Sequence, residues 1–278
     1  MNLALPLQPA RKILALTAIA ALSAMALLGG SGIMATLRPD PITPDLRPFD
    51  LDPAQWQATW GQILEHNVDE QGRINFAMNA AERARLQQIV TFIAVANPRL
   101  FDKHAAREAY LLNAYNALAM NGIMTIGVPD RLTFPRRLGF FALRRVRIGG
   151  QTTSLYAFEN DVIRKLGDPR VHFALNCMTV GCPRLATSAF GESDLDAMLD
   201  MAARDFTNNP IYVRIDNSRQ TVWVSAIFKF YEADFLKKSP TLIDYINCYR
   251  KDQIPVSYNV AYLDYDWTVK AQGRQFAH

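Results

Sequence analysis

The chain has 278 residues, Lys+Arg 30 against Asp+Glu 26 for a formal charge of +4, and half of its residues are hydrophobic. That apolar share can offset chain entropy, which excludes intrinsic disorder. Gly 14, Pro 15 and Cys 3 exclude collagen-like and disulfide-scaffold classes, and so mild a basic balance names no partner by itself.

Arg11 and Lys12 stand before an uncharged apolar run over residues 13–37. About 20 such residues cross a bilayer as a helix, and leading basic residues fit an orientation that exports the downstream chain. The same run fits a cleaved signal peptide, with the break at Gly29-Gly30-Ser31-Gly32 and cleavage after Ala26 or Ala35. Residues 1–37 are therefore expected to be a signal peptide or a membrane anchor. Either one places the remainder in the cell envelope, on the periplasmic or extracytoplasmic side, tethered or secreted. Residues 38–53 carry Pro39, Pro41, Pro44, Pro48 and Pro53, a density that favours an extended linker. Residues 54–278 form the expected domain.

Within it, Trp56, Trp60, Ile63 and Leu64 predict a helix over 54–66. A turn at 71–73 leads into a short strand at 74–76, and Leu86, Ile89, Val90 and Ile93 predict a helix over 80–96. The longest helix is expected over 102–126, with Asp102 as its N-cap and Gly127 as its stop. Residues 144–148 read as a strand, and Ser154 caps a helix through Leu166. Alternation makes 171–177 a strand, and 194–208 reads as a helix. Residues 211–215 and 221–224 pair as a hairpin. Helices at 227–235 and 240–249 precede a terminal stretch at 262–269. Helices outnumber strands without alternating with them. The expected fold is α+β: a single, mostly helical domain with a small antiparallel or mixed sheet.

Three features could carry chemistry. The long helix is uncharged from 110 to 126, with Asn113 and Asn116 on one face and Glu108 a turn earlier. A buried amide without a partner costs about 1–3 kcal/mol, so these side chains aim either at loop backbone or into a polar pocket. The second feature is 168–183. As a strand it would put Val171, Phe173, Leu175 and Cys177 in the core, with His172 and Asn176 facing a cleft or solvent. Cys182 precedes Pro183, and a short helix opening there would make it an N-cap with a stabilised thiolate. A thiol–imidazole site is one reading, structural thiols or a Cys177–Cys182 disulfide another, and a metal held by His172 and both cysteines a third. The opposite-face argument counts against the metal. The third feature is a basic stretch with Arg136, Arg137, Arg144 and Arg145 and no acid from 132 to 151. It reads as a solvated loop or as a contact for an anionic envelope component. Nucleic acid is not expected of an exported domain. No phosphate loop, dinucleotide fingerprint, zinc-protease helix or calcium loop is present, so neither cofactor nor metal is expected.

The segment from Glu108 to Leu118 (Glu-Ala-Tyr-Leu-Leu-Asn-Ala-Tyr-Asn-Ala-Leu) resembles the helix signature of the domain of unknown function 547 family. Ile148-Gly149-Gly150, Ser154-Leu155, Phe158-Glu159, the run from Asp168 to Cys177, Cys182-Pro183, Tyr231, Asp234-Phe235 and Tyr265-Asp266-Trp267 come in the family's order. Leu111-Leu112 and Phe158 depart from its usual residues. The resemblance implies one intact domain in an exported bacterial protein, and it brings no reaction with it. Two functions remain. The first is a non-catalytic ligand- or partner-binding module, its polar set made of Glu108, Asn113, Asn116, Glu159 and His172. The second is a thiol-dependent hydrolase or acyltransferase with Cys182 as nucleophile, His172 as base and Asn176 or Asn113 as orienting or oxyanion-stabilising amide.

Overall fold

The computed structural model describes residues 53–274. The expected anchor or signal peptide, residues 1–37, and nearly all of the expected linker, residues 38–53, lie outside the described residues. Among the described residues no helix is long and apolar enough to cross a membrane.

The first three helices build the main core. Helix α1 (Pro53–Asn67) buries Trp56, Trp60, Ile63 and Leu64. Helix α2 (Ala80–Val95) starts from Asn79, whose side chain accepts from the Glu82 N–H while Glu82 reaches back to the Asn79 N–H. That reciprocal cap settles two donors left over at a helix start. Helix α3 (His104–Thr125) is buried on nearly every side from Glu108 to Ile123, as expected of a helix that is apolar all round. Its N-cap is Lys103 without a side-chain cap bond, so the expected Asp102 cap is not used. Gly122 on α3 is a contact requirement: a Cβ there would sit 2.8 Å from the Phe140 ring.

Helix α4 (Phe134–Arg137) continues as a π-helical turn, Leu138–Leu143. Strands β1 (Val146–Ile148) and β2 (Gln151–Thr153) pair antiparallel. Ser154 then caps α5 (Leu155–Phe158) by accepting from the Ala157 N–H, and the helix runs on as a π turn, Glu159–Ile163. Residues 71–76 form isolated bridges at Ile74 rather than the expected strand, because their partners, Val68 and Ala271, are single positions on unrelated segments.

The largest departure is at 171–177. Val171–Ala174 is one turn of helix, α6, not a strand. Asp168 accepts from the Arg170 N–H, and the carbonyls of Asp168, Pro169 and Arg170 take the N–H groups of Val171, His172 and Phe173. Asp-Pro starts a turn, and the turn propagates. Alternation misled because both sides of the segment are buried. Val171, Ala174 and Leu175 join the main core, while Phe173 joins a second apolar cluster.

That second cluster gathers helix α7 (Leu195–Asn208), strands β3 (Val213–Asp216) and β4 (Thr221–Val224), helices α8 (Ala226–Phe230), α9 (Glu232–Phe235) and α10 (Leu242–Asn247), and strand β5 (Asn259–Tyr262). β3 and β4 are the antiparallel hairpin, and β5 joins β4 in parallel, which makes the sheet mixed. The fold is the α+β, mostly helical arrangement expected. The predicted helix over 227–235 is broken in two at Tyr231.

Candidate functional site

The amides of α3 are bound to loop backbone. Asn113 donates through Nδ2 to the Phe190 carbonyl at 2.8 Å and accepts at Oδ1 from the Phe190 N–H at 3.0 Å. Asn116 donates to the Ala174 carbonyl at 3.0 Å and accepts from the Asn176 N–H at 2.8 Å. Asn176 donates to the Pro183 carbonyl and accepts from the Met178 N–H, both at 2.7 Å. Each carboxamide closes a loop that has no regular ladder of its own. The pair also holds Met178 at φ +63°, a left-handed position that a non-glycine residue takes only under tertiary constraint.

His172 is turned away from solvent, contrary to the strand reading. It is 3 % exposed, stacks on Tyr231 with ring centroids 3.8 Å apart, and meets Phe235 edge-on. Its Nε2 lies 3.0 Å from Asp234 Oδ2, which also takes Nε–H of Arg164 at 2.7 Å. Burial holds the imidazole below its usual range, against the pull of Asp234. The bond to His172, followed by those from Arg164 and Lys237, holds the Asp234 carboxyl well below the carboxylate range in spite of burial. The pair is therefore a neutral ring donating from Nε2 to a carboxylate, and Nδ1 is left buried with no partner. Beside it the π turn after α5 delivers Glu159, which accepts from Tyr115 at 3.0 Å and from Tyr231. Burial raises both phenols well above their usual range.

Cys177 and Cys182 are joined as a disulfide with Cα atoms 6.2 Å apart. No helix opens at Pro183, so Cys182 caps nothing. The Tyr265 hydroxyl lies 3.2 Å from Cys177 Sγ and 3.1 Å from Cys182 Sγ, and the Cys177 N–H points at Cys182 Sγ from 2.8 Å. Gly181 permits that approach, since a Cβ there would lie 2.8 Å from the Tyr265 ring. No hydrogen bond joins His172 to Cys182 among the described residues: the imidazole is held by Asp234 and the sulfur by Cys177 and Tyr265.

Glu108 differs from the other sequence candidates. It is 3 % exposed, its Oε1 has no hydrogen-bond partner, and its Oε2 is 3.6 Å from His104 Nδ1. Burial, then the nearby Asp168 charge, pushes its carboxyl up to about 7, with Arg170 opposing. Glu108 lines an open cleft of ≈ 610 Å³ together with His104, Asp168, Arg170, Tyr245 and Cys248. Arg170 is the charged hub of its wall. It binds Asp168, Asp196 and Asp200, each at 2.7 Å. Of the expected pocket set, only Glu108 reaches this cleft; Asn113, Asn116 and Glu159 serve the interior. Among the described residues no three His, Cys, Asp or Glu side chains are grouped as metal ligands would be.

The basic stretch is partly committed to the protein. Arg137 lies 4.4 Å over the Trp267 ring and Arg131 is 3.7 Å from Asp266. Arg136 and Arg145 are exposed, as are Phe134 and Leu143.

Sequence reasoning missed Asp234, Arg164 and Tyr265 as polar partners, and missed the Arg170 hub. His172 and Asp234 are 62 positions apart, so no local period could pair them. The one available sign was Arg170 two positions after Asp168, ahead of the acids of α7. Residues 99–207 match the family model described as "Protein of unknown function, DUF547", and the match supports membership of that family. It covers Glu108, the Asn clamps, Arg170, His172 and both bonded cysteines, and stops short of Tyr231, Asp234 and Tyr265. No curated protein and no solved structure matches the chain.

Proposed function

We propose that this DUF547 chain is a non-catalytic binding module of the cell envelope, whose ligand enters the cleft over Glu108. One observation carries the reading: a buried carboxylate oxygen with no partner, at the wall of an open cavity. An unsatisfied polar group of that kind is costly in a native fold and is expected where a ligand or water completes it. The other candidates favour a structural role, since the amides of Asn113, Asn116 and Asn176 are bound to backbone and the sulfur of Cys182 is bonded to Cys177. Cys248, exposed on the same cleft, is the free thiol among the described residues and a native reporter of occupancy. A screen of small polar compounds against the full chain should find ones that raise the melting temperature and slow Cys248 alkylation. Glu108→Ala should abolish both effects. Hits that act equally on wild type and variant would count against the reading.

We also infer export in a bacterial envelope, supported by the uncharged run over 13–37, with an anionic envelope component as partner of exposed Arg136 and Arg145. Fractionation of cells expressing the full chain tests the first, and sedimentation with anionic against neutral vesicles tests the second.

A second reading, thiol-dependent acyl transfer at Cys182, draws on one feature: the Cys177 N–H and the Tyr265 hydroxyl both aim at its sulfur and would stabilise a thiolate once the disulfide is reduced. Ester or thioester hydrolysis that appears on reduction and disappears in Cys182→Ser, with Cys248 already replaced by Ser, would favour it.

A further inference from the structure

We propose that the ligand of the Glu108 cleft carries a primary ammonium group, held by the Glu108 carboxylate; this rests on the cleft being a binding site. The charge of the lining is the first argument. Glu108, Asp168, Glu192 and Asp196 line the cavity with Arg170 and Lys238, and Glu192 is paired to Lys103 at 2.6 Å. The guanidinium is taken up by three aspartates, and Lys238 stands exposed at the rim. An anionic ligand would meet surplus carboxylates and a guanidinium with its charge already matched.

The orphan atom is the second argument. Glu108 Oε1 is an acceptor, and nothing on its own helix or on the 167–170 turn donates to it. An ammonium group has three N–H donors and no acceptor, so it completes that oxygen with a charge-assisted bond once the carboxylate turns toward the cleft. The third argument is the wall: half-buried Tyr249 lines the same cavity and offers ring surface to an alkyl stem or to the cation itself. The charged groups acting on Glu108 are His104 from α3 and Asp168 and Arg170 from the turn before α6, with Glu192, Asp196, Lys238, Tyr245, Cys248 and Tyr249 lining the same cavity. With its carboxyl near 7, Glu108 is half ionised at neutral pH, and a cation draws it to the charged form. A carboxylate ligand would instead need the protonated form, so the two ligand classes give opposite pH slopes.

The experiment uses the full chain, with cadaverine and ethanolamine as cationic probes, both protonated throughout the pH range used, and glutarate as the anionic one. Affinity is read by calorimetry and by protection of Cys248 from alkylation. The amines should bind saturably, with affinity rising about tenfold between about pH 6 and about pH 8. Glu108→Gln should weaken them by at least about tenfold and flatten the slope, whereas His104→Gln should keep it. Unsaturable amine binding, or amine affinity unchanged in Glu108→Gln, overturns the proposal. Glutarate binding that weakens as pH rises overturns the ammonium class and leaves the cleft a binding site. If Glu108→Ala also leaves every hit of the compound screen unaffected, the binding-site reading fails with it. Should the alanine variant not fold, Glu108→Gln and the pH slope still decide.

Discussion

Asn113 spends both hydrogen bonds of its carboxamide on one residue, Phe190, 77 positions away. The side chain of a buried helix thus stands in for the strand that would normally pair that loop. Asn113→Ala should leave the Phe190 N–H and C=O unpaired in the interior and cost roughly 2–4 kcal/mol. Urea denaturation of wild type and variant measures it. A loss under about 0.5 kcal/mol would mean the loop finds other partners.

The neutral imidazole of His172, bound to the Asp234 carboxylate, gives the fold an acid-sensitive point. A ring held below its unfolded value contributes stability that is full above the usual imidazole range and is lost as pH falls below it. Asp234, also depressed, has the same sign: present above the unfolded carboxylate value and lost as pH drops through the folded one. Asp234→Asn should therefore destabilise at neutral pH by about 2–3 kcal/mol, and the penalty should shrink toward acid. Denaturation midpoints across a pH series test the slope.

Glu108 runs the other way. Its carboxyl is raised from 4.5 to about 7, so its contribution is present below the lower value and is lost as pH rises through the upper one. Without ligand, Glu108→Gln should be the more stable protein above about pH 7, by roughly 1–2 kcal/mol since the cleft admits water. Equal stabilities across the series would place the carboxylate in a solvated environment.

Of the three cysteines, Cys177 and Cys182 are bonded and Cys248 is free. Mass spectrometry of the denatured chain should find a single alkylated thiol before reduction and all three after it. Replacing Cys177 and Cys182 with Ser removes a short closed loop and should cost about 2 kcal/mol. Labelling of Cys182 without reductant would show that the bond does not form.

Arg170 is held by three carboxylates around a side chain that is 17 % exposed. Arg170→Ala leaves Asp168, Asp196 and Asp200 facing one another and should cost about 2–4 kcal/mol, with Arg170→Lys intermediate because a point charge cannot match the planar fork. Thermal melts of the pair test the order; a lysine variant as weak as alanine would make the geometry, and not the charge, decisive.

The local sequence determined whatever rests on a local period or cap. The apolar spacing of Trp56, Trp60, Ile63 and Leu64, the Asn79–Glu82 cap, Ser154 as a helix start and the β3–β4 hairpin all arise from residues within a turn or two of one another. The uncharged body of α3 also marked it as the buried centre, and its amides as groups in need of partners. Tertiary structure decided which partners those are. Whether 171–174 coils or extends depended on burial from two clusters at once, because with both faces covered alternation carries no information. His172 meets Asp234, and both bonded cysteines meet Tyr265, only after the second cluster closes against α6. Glu108 and Asn113 look alike in the sequence as polar residues on one helix, yet one was left with a free oxygen on a cleft and the other was closed by backbone. That difference comes from which loop crosses the helix at each turn, and no spacing along the chain encodes it.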